Sequence, residues 1–214
     1  MKFLFVCYQH QLEHFLHTHI QALRERSNSV KVCILDEGTA GSLSSRRGIL
    51  DLPILFWKVL KLSYSYKPDV IVSITPKAGL ISSLVAFINF TKNVHWFTGQ
   101  VWANDVGLKR KIKSLPDRIT AKLSDLVLVD SQPQWEFLIR NGFLREHMKV
   151  IGFGSICGVD PKIKYKPRNI AQFPLRIGVV GRICRDKGVG DLLKFVTKYQ
   201  SQLKDFEFHF FGNF

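Results

Sequence analysis

Short, unbroken apolar runs alternate with segments of helical spacing over most of this chain, and few folds satisfy that pattern. The runs at 3–7, 30–35, 70–74, 94–97, 126–129 and 149–152 read as strands. They are too continuous for strands with one wet face, and they suit a parallel sheet buried on both sides. Between them, 12–24, 50–62, 78–89, 109–123 and 132–140 carry apolar residues at helical spacing. Pro53 suits a first helical turn, Asn141-Gly142 suits a C-terminal stop, and Pro116 interrupts the helix at 109–123. The alternation predicts an α/β fold with helices on both faces of a parallel sheet, and a ligand site beyond the carboxyl ends of the strands.

The pattern breaks after Val159. Asp160-Pro161, Lys162, Lys164, Lys166, Pro167 and Arg168 come with few apolar residues, as a linker does. A strand–loop–helix–strand unit then begins at Leu175. The expected organisation is a first Rossmann-like domain at 1–160, a linker at 161–174, and the opening β-α-β portion of a second Rossmann-like domain at 175–214.

A net charge of +14 favours anionic partners: nucleic acid, acidic lipid headgroups or phosphorylated substrates. No RNA-recognition, helix-turn-helix or zinc pattern occurs, so nucleic acid is not an expected partner. Neither GxGxxG nor GxxxxGK[ST] is present, which disfavours a dehydrogenase or a P-loop enzyme. The four cysteines form no CxxC pair and read as free thiols of a reducing compartment. His10, His14, His17 and His19 cluster without an HExxH spacing, and no metal is expected. The apolar start is too short for a signal peptide. The run 79–90, with Ser82, Ser83 and Asn89, is too short to span a bilayer. The chain reads as cytoplasmic.

Four stretches carry candidate chemistry. Val180-Gly181-Arg182-Ile183-Cys184-Arg185-Asp186-Lys187-Gly188 joins a strand to a helix start. Free N–H groups at that start, with Arg182 and Lys187, make a seat for a diphosphate; the alternative is a solvated basic turn. Thr75-Pro76-Lys77 follows the third strand, with Thr75 as a helix cap and Lys77 as an anion contact. Thr98-Gly99-Gln100-Val101-Trp102-Ala103-Asn104 follows the fourth. There Gln100 and Asn104 can satisfy hydroxyls, while Trp102 either covers a sugar face or packs as core. Finally, Lys109, Arg110, Lys111, Lys113, Arg118 and Lys122 interleave with Leu108, Ile112, Leu115, Ile119 and Leu123. This is either a membrane-surface helix or the exposed side of a sheet-covering one.

Taken together, the stretches at 67–87, 97–107, 126–142, 150–160 and 180–189 resemble the family-4 retaining glycosyltransferases of the GT-B fold. The likeness is greatest to bacterial enzymes of capsule, exopolysaccharide and lipopolysaccharide assembly. It implies two facing Rossmann-like domains, the first for the acceptor and the second for a nucleotide-sugar donor, with no cofactor. It implies that Arg182 and Lys187 hold the donor diphosphate, and that Thr75, Lys77, Thr98, Gly99, Gln100, Trp102 and Asn104 lie on the acceptor and catalytic face. The acceptor would be a lipid-linked saccharide at an anionic membrane surface. Thr98-Gly99 stands where many relatives have His-Gly, and Tyr8-Gln9-His10-Gln11 lacks their Gly-Gly. The family's donor-site carboxylate pair lies beyond Phe214, so its catalytic residues are not assigned in this chain. The expectation is a C-terminally truncated member. The alternative is a non-catalytic remnant or acceptor-domain module.

Overall fold

The computed structural model describes residues 1–35, 51–152, 156, 174–184 and 187–212. Residues 161–173 of the linker and the Gly158-Val159-Asp160 segment lie outside these, as do Cys157, Arg185 and Asp186. The chain divides into two units, Met1–Val159 and Asp160–Phe214.

The first unit is built on a six-stranded parallel sheet in the order β2-β1-β3-β4-β5-β6. The strands are β1 (Lys2–Cys7), β2 (Ser29–Ile34), β3 (Val70–Ile74), β4 (Lys92–Phe97), β5 (Leu126–Val129) and β6 (Met148–Val150). The first connection is helical from end to end. It runs through α1 (Gln9–Gln11), a π-helical turn (Leu12–Leu16) and α2 (His17–Glu25), and so starts earlier than its spacing suggests. The others are α3 (Leu52–Tyr66), α4 (Pro76–Asn89), α5 (Gly107–Leu123) and α6 (Gln132–Arg140). Pro53 sits in the first turn of α3, as expected. α5 runs unbroken through Pro116, which corrects the interruption read from the sequence. A proline removes only one intrahelical hydrogen bond, and packing of the surrounding turns outweighs that loss.

Alternation along β1 divides the core. Leu4 and Val6 join Val59 of α3 and Ile81 and Val85 of α4 on one face. Phe5 and Cys7 join Leu16, Ile20 and Trp96 on the other. The sheet is thus buried on both sides, which is why its strands read as continuous apolar runs. A third cluster gathers Phe97, Trp102, Val127, Leu138 and Phe143 beneath α6.

α5 is the least conventional element. Its buried positions are Ser114, Asp117 and Thr120, while Leu108, Ile112 and Leu115 are 73%, 63% and 54% exposed. It packs on α4, where Gly79, Ser82 and Ser83 are buried. Small residues there let the two helices approach closely.

The second unit contains the parallel pair β7 (Leu175–Val180) and β8 (Phe206–Phe211), joined through α7 (Val189–Lys198). Among the described residues no helix is long and apolar enough to cross a membrane.

Candidate functional site

The strand order reverses between β1 and β3, where the chain steps first to β2 and then back across. Such a switch point opens a crevice at the carboxyl ends of the strands, and there a ligand is expected. Thr75 follows β3 directly at this point. Its backbone lies at φ 79° and ψ 151°, a region that only glycine occupies without strain. It is the N-cap residue of α4, yet its hydroxyl makes no capping bond, which corrects the expected role. The backbone turn aims Oγ1 elsewhere, and the atom is buried without a partner among the described residues. Lys77 stands half-buried in the first turn of α4 and forms no ion pair among the described residues.

One strand further, Thr98 and Gly99 are exposed beyond β4, and Gln100 is half-buried. Gln134, three residues into α6, ties this loop to the next strand end. Its Nε2 donates to Phe97 O at 3.3 Å and to Gln100 Oε1 at 3.4 Å, while its Oε1 accepts from the Asp130 N–H at 2.7 Å. Ser131 caps α6 by accepting from the Gln134 N–H. Held in this way, Gln100 leaves its own Nε2 buried and unpartnered among the described residues.

Asp130 follows β5, and Trp96 Nε1 donates to its Oδ1 at 2.9 Å. Burial raises its carboxyl above the ordinary range, and the indole hydrogen bond works against that rise. Three adjacent strand ends therefore carry an orphan hydroxyl, an orphan amide N–H and a carboxylate with one oxygen committed. Polar groups of this kind normally find partners, so these strand ends keep hydrogen-bonding capacity that the described residues do not use. Asp130 and Gln134 were not singled out in the sequence, although Ser131-x-x-Gln134 is a capping pattern visible there.

Trp102 takes the core role. Its side chain is fully buried, stacked on Phe137 and Phe143 at ring-centroid distances of 5.4 Å and 6.0 Å. It does not cover a sugar face. Asn104 is exposed in the same loop. Beside it, Lys113 and Lys109 hold Asp105 at 2.8 Å and 2.9 Å and keep its carboxyl below the ordinary range.

Arg182 and Lys187 belong to the second unit, between β7 and α7, and both are exposed. The loop is tied by Cys184 N–H to Arg182 O and Lys187 N–H to Cys184 O, and Gly188 at φ 71° leads into α7. The start of α7, which has no side-chain cap among the described residues, and two cations thus share one strand–helix turn.

No protein-family model matches the chain. Over 147 residues, 64% of this chain, it is 28% identical to the capsular polysaccharide biosynthesis glycosyltransferase CapM of Staphylococcus aureus. The match spans 39% of that relative's length. Among solved structures, Anabaena Alr3699/HepE in complex with UDP superposes with a TM-score of 0.59 at 17% identity, over 99% of this chain and 69% of that one. The apo lipopolysaccharide outer core galactosyltransferase WaaB gives 0.65 at 12%, over 99% and 68%. The UDP-GlcNAc 2-epimerase from Methanocaldococcus jannaschii gives 0.57 at 13%, over 100% and 74%. The chain has a capsular polysaccharide glycosyltransferase as a homologue and the Rossmann-like GT-B fold that these transferases and epimerases share.

Proposed function

We propose that this chain is a glycosyltransferase polypeptide of bacterial surface-polysaccharide assembly. It would move a sugar from a nucleotide-sugar donor to a lipid-linked saccharide at the cytoplasmic face of a membrane. The 28% identity to CapM carries this reading, because the fold alone is shared with epimerases. The family-4 retaining assignment rests on the sequence resemblance.

In this reading the acceptor meets the strand ends of the first unit. Thr75, Thr98, Gly99, Gln100 and Asn104 line its approach, with Lys77 for a nearby anion, and Trp102 supports the loop from within. The acceptor oxygen bonds to the anomeric carbon as the sugar–phosphate bond breaks, and the hydroxyl proton is released. Negative charge builds on the departing diphosphate, and Arg182 and Lys187 stabilise it there.

The test supplies the purified chain with a panel of labelled nucleotide sugars and a membrane extract, and follows label into lipid. Transfer that Arg182→Ala or Lys187→Ala lowers at least tenfold, about 1.4 kcal/mol, supports the reading. Absence of both transfer and donor binding favours the non-catalytic acceptor module.

A further inference from the structure

A second cleft lies at the opposite edge of the first unit, by the amino ends of β5 and β6. Its volume is about 210 Å³. Ala121, Val127, Phe143, Leu144 and Met148 give it an apolar lining, and Arg118, Lys122 and His147 bring basic groups to it. Among the described residues no acidic one lines it.

Arg118 is fixed in place. Its Nη2 donates to Asn141 O at 2.6 Å and its Nε to Ser114 Oγ at 3.3 Å, and the guanidinium lies 5.3 Å from the centre of the Phe143 ring. Its Nη1 remains over Gly142, another lining residue: a Cβ added there would sit 3.5 Å away. Lys122 and His147 make no hydrogen bond or ion pair among the described residues, and Arg118 has no carboxylate partner. An uncompensated basic group of this kind, above an apolar floor, complements a ligand with one anionic end and one short apolar end.

We propose that this cleft binds a small amphiphilic organic phosphate. The short alkyl chain or single ring packs on Phe143, Val127 and Met148, and the phosphate meets Arg118, Lys122 and His147. The inference is independent of the sugar-transfer reading, since it uses none of the residues at the strand carboxyl ends.

Titration calorimetry on the full chain tests it with three probes: hexyl phosphate, inorganic phosphate and hexanol. Saturable one-to-one binding of hexyl phosphate is expected, with each of the others at least tenfold weaker. Lys122→Glu should weaken hexyl phosphate about tenfold, the scale of one charge-assisted contact. Ala121→Phe, which fills the cleft, should abolish binding without lowering the unfolding temperature. If that variant is destabilised, Leu144→Trp repeats the block from a 58% exposed position. Equal affinity for inorganic phosphate, equal affinity for hexanol, or full binding by Lys122→Glu or by a stable cleft-filled variant would each overturn the proposal.

Discussion

The indole Nε1 of Trp102 donates to Oδ2 of Asp117 across 2.7 Å, with both side chains closed to solvent. The bond pins the loop after β4 to α5. Burial raises the Asp117 carboxyl from an ordinary 3.8 to about 6, and the indole hydrogen bond opposes that rise. Between these values the folded chain holds a proton that the unfolded chain has released. This contribution to stability is full below 3.8 and is lost as the pH rises through about 6. Asp117→Asn keeps an acceptor for Trp102 but cannot titrate. Urea unfolding of the two proteins between pH 7 and 4 should show the difference moving by about 2 kcal/mol in favour of the wild type on acidification. Parallel curves would mean that Asp117 does not carry the shift.

His95 acts in the opposite sense. It is fully buried, its Nδ1 meets Ser73 Oγ at 2.9 Å, and its Nε2 has no partner among the described residues. Burial lowers its pKa from 6.5 to about 3. Here the unfolded chain binds the extra proton, so stability is full above 6.5 and is lost on acidification, by about 1.4 kcal/mol per pH unit. Its ring also fills the space beside Gly79, where a Cβ would overlap it. Gly79→Ala should therefore destabilise by about 1–3 kcal/mol, the range for overpacking a core. Adding His95→Ala should recover part of that loss, because the overlap is removed. A double-mutant cycle in chemical denaturation measures the coupling. A coupling near zero would place the conflict elsewhere.

The strands were legible because a doubly covered sheet imposes long apolar runs, as at 70–74 and 126–129. The stop at Asn141-Gly142 was legible because glycine takes the positive φ, 81°, that ends α6. The role of Trp102 was not. A loop tryptophan faces ligand or core according to what packs behind it, here Phe137 and Phe143 from later in the chain. α5 misleads in another way: Leu108, Ile112 and Leu115 point outward, and its inner face is Ser114, Asp117 and Thr120. Periodicity finds such a helix but gives no sign of which side is inside. Nor does sequence show that Thr75 is strained or that the Gln100 amide N–H lacks an acceptor among the described residues, since both depend on the final path of the backbone.

Thr75 gives a stability test of the strand-end site. A threonine held at φ 79° and ψ 151° carries strain of about 1–3 kcal/mol. Thr75→Gly relaxes it, against an unfolded-state penalty of about 0.4–1 kcal/mol. The variant should unfold at a higher temperature than the wild type, while any transfer activity should fall with the loss of the hydroxyl. Lower stability would show that Oγ1 contributes more to the fold than its lack of a partner indicates.

The outward stripe of α5 leads to the last expectation. Lys109 and Lys113 share the single Asp105 carboxylate, which offsets one of their two charges, and the Arg110 guanidinium lies 5.4 Å from the ring centres of both Trp102 and Phe137. The helix thus offers an anionic surface less free charge than its sequence suggests. Its exposed Leu108, Ile112 and Leu115, with Val101 and Val106 beside them, offer apolar area instead. Each Lys or Arg near an anionic bilayer is worth about 1 kcal/mol, and full burial of one aliphatic side chain about 1.5–3 kcal/mol. Apolar contact should therefore dominate. In vesicle co-sedimentation, Ile112→Ser and Leu115→Ser should each weaken binding about tenfold, and Lys111→Ser less. Salt should reduce binding to anionic vesicles without abolishing it. These positions are exposed, so thermal unfolding should not change. Binding that disappears in salt and ignores Ile112→Ser would make the attachment purely electrostatic, and no vesicle binding at all would remove this face as a membrane contact.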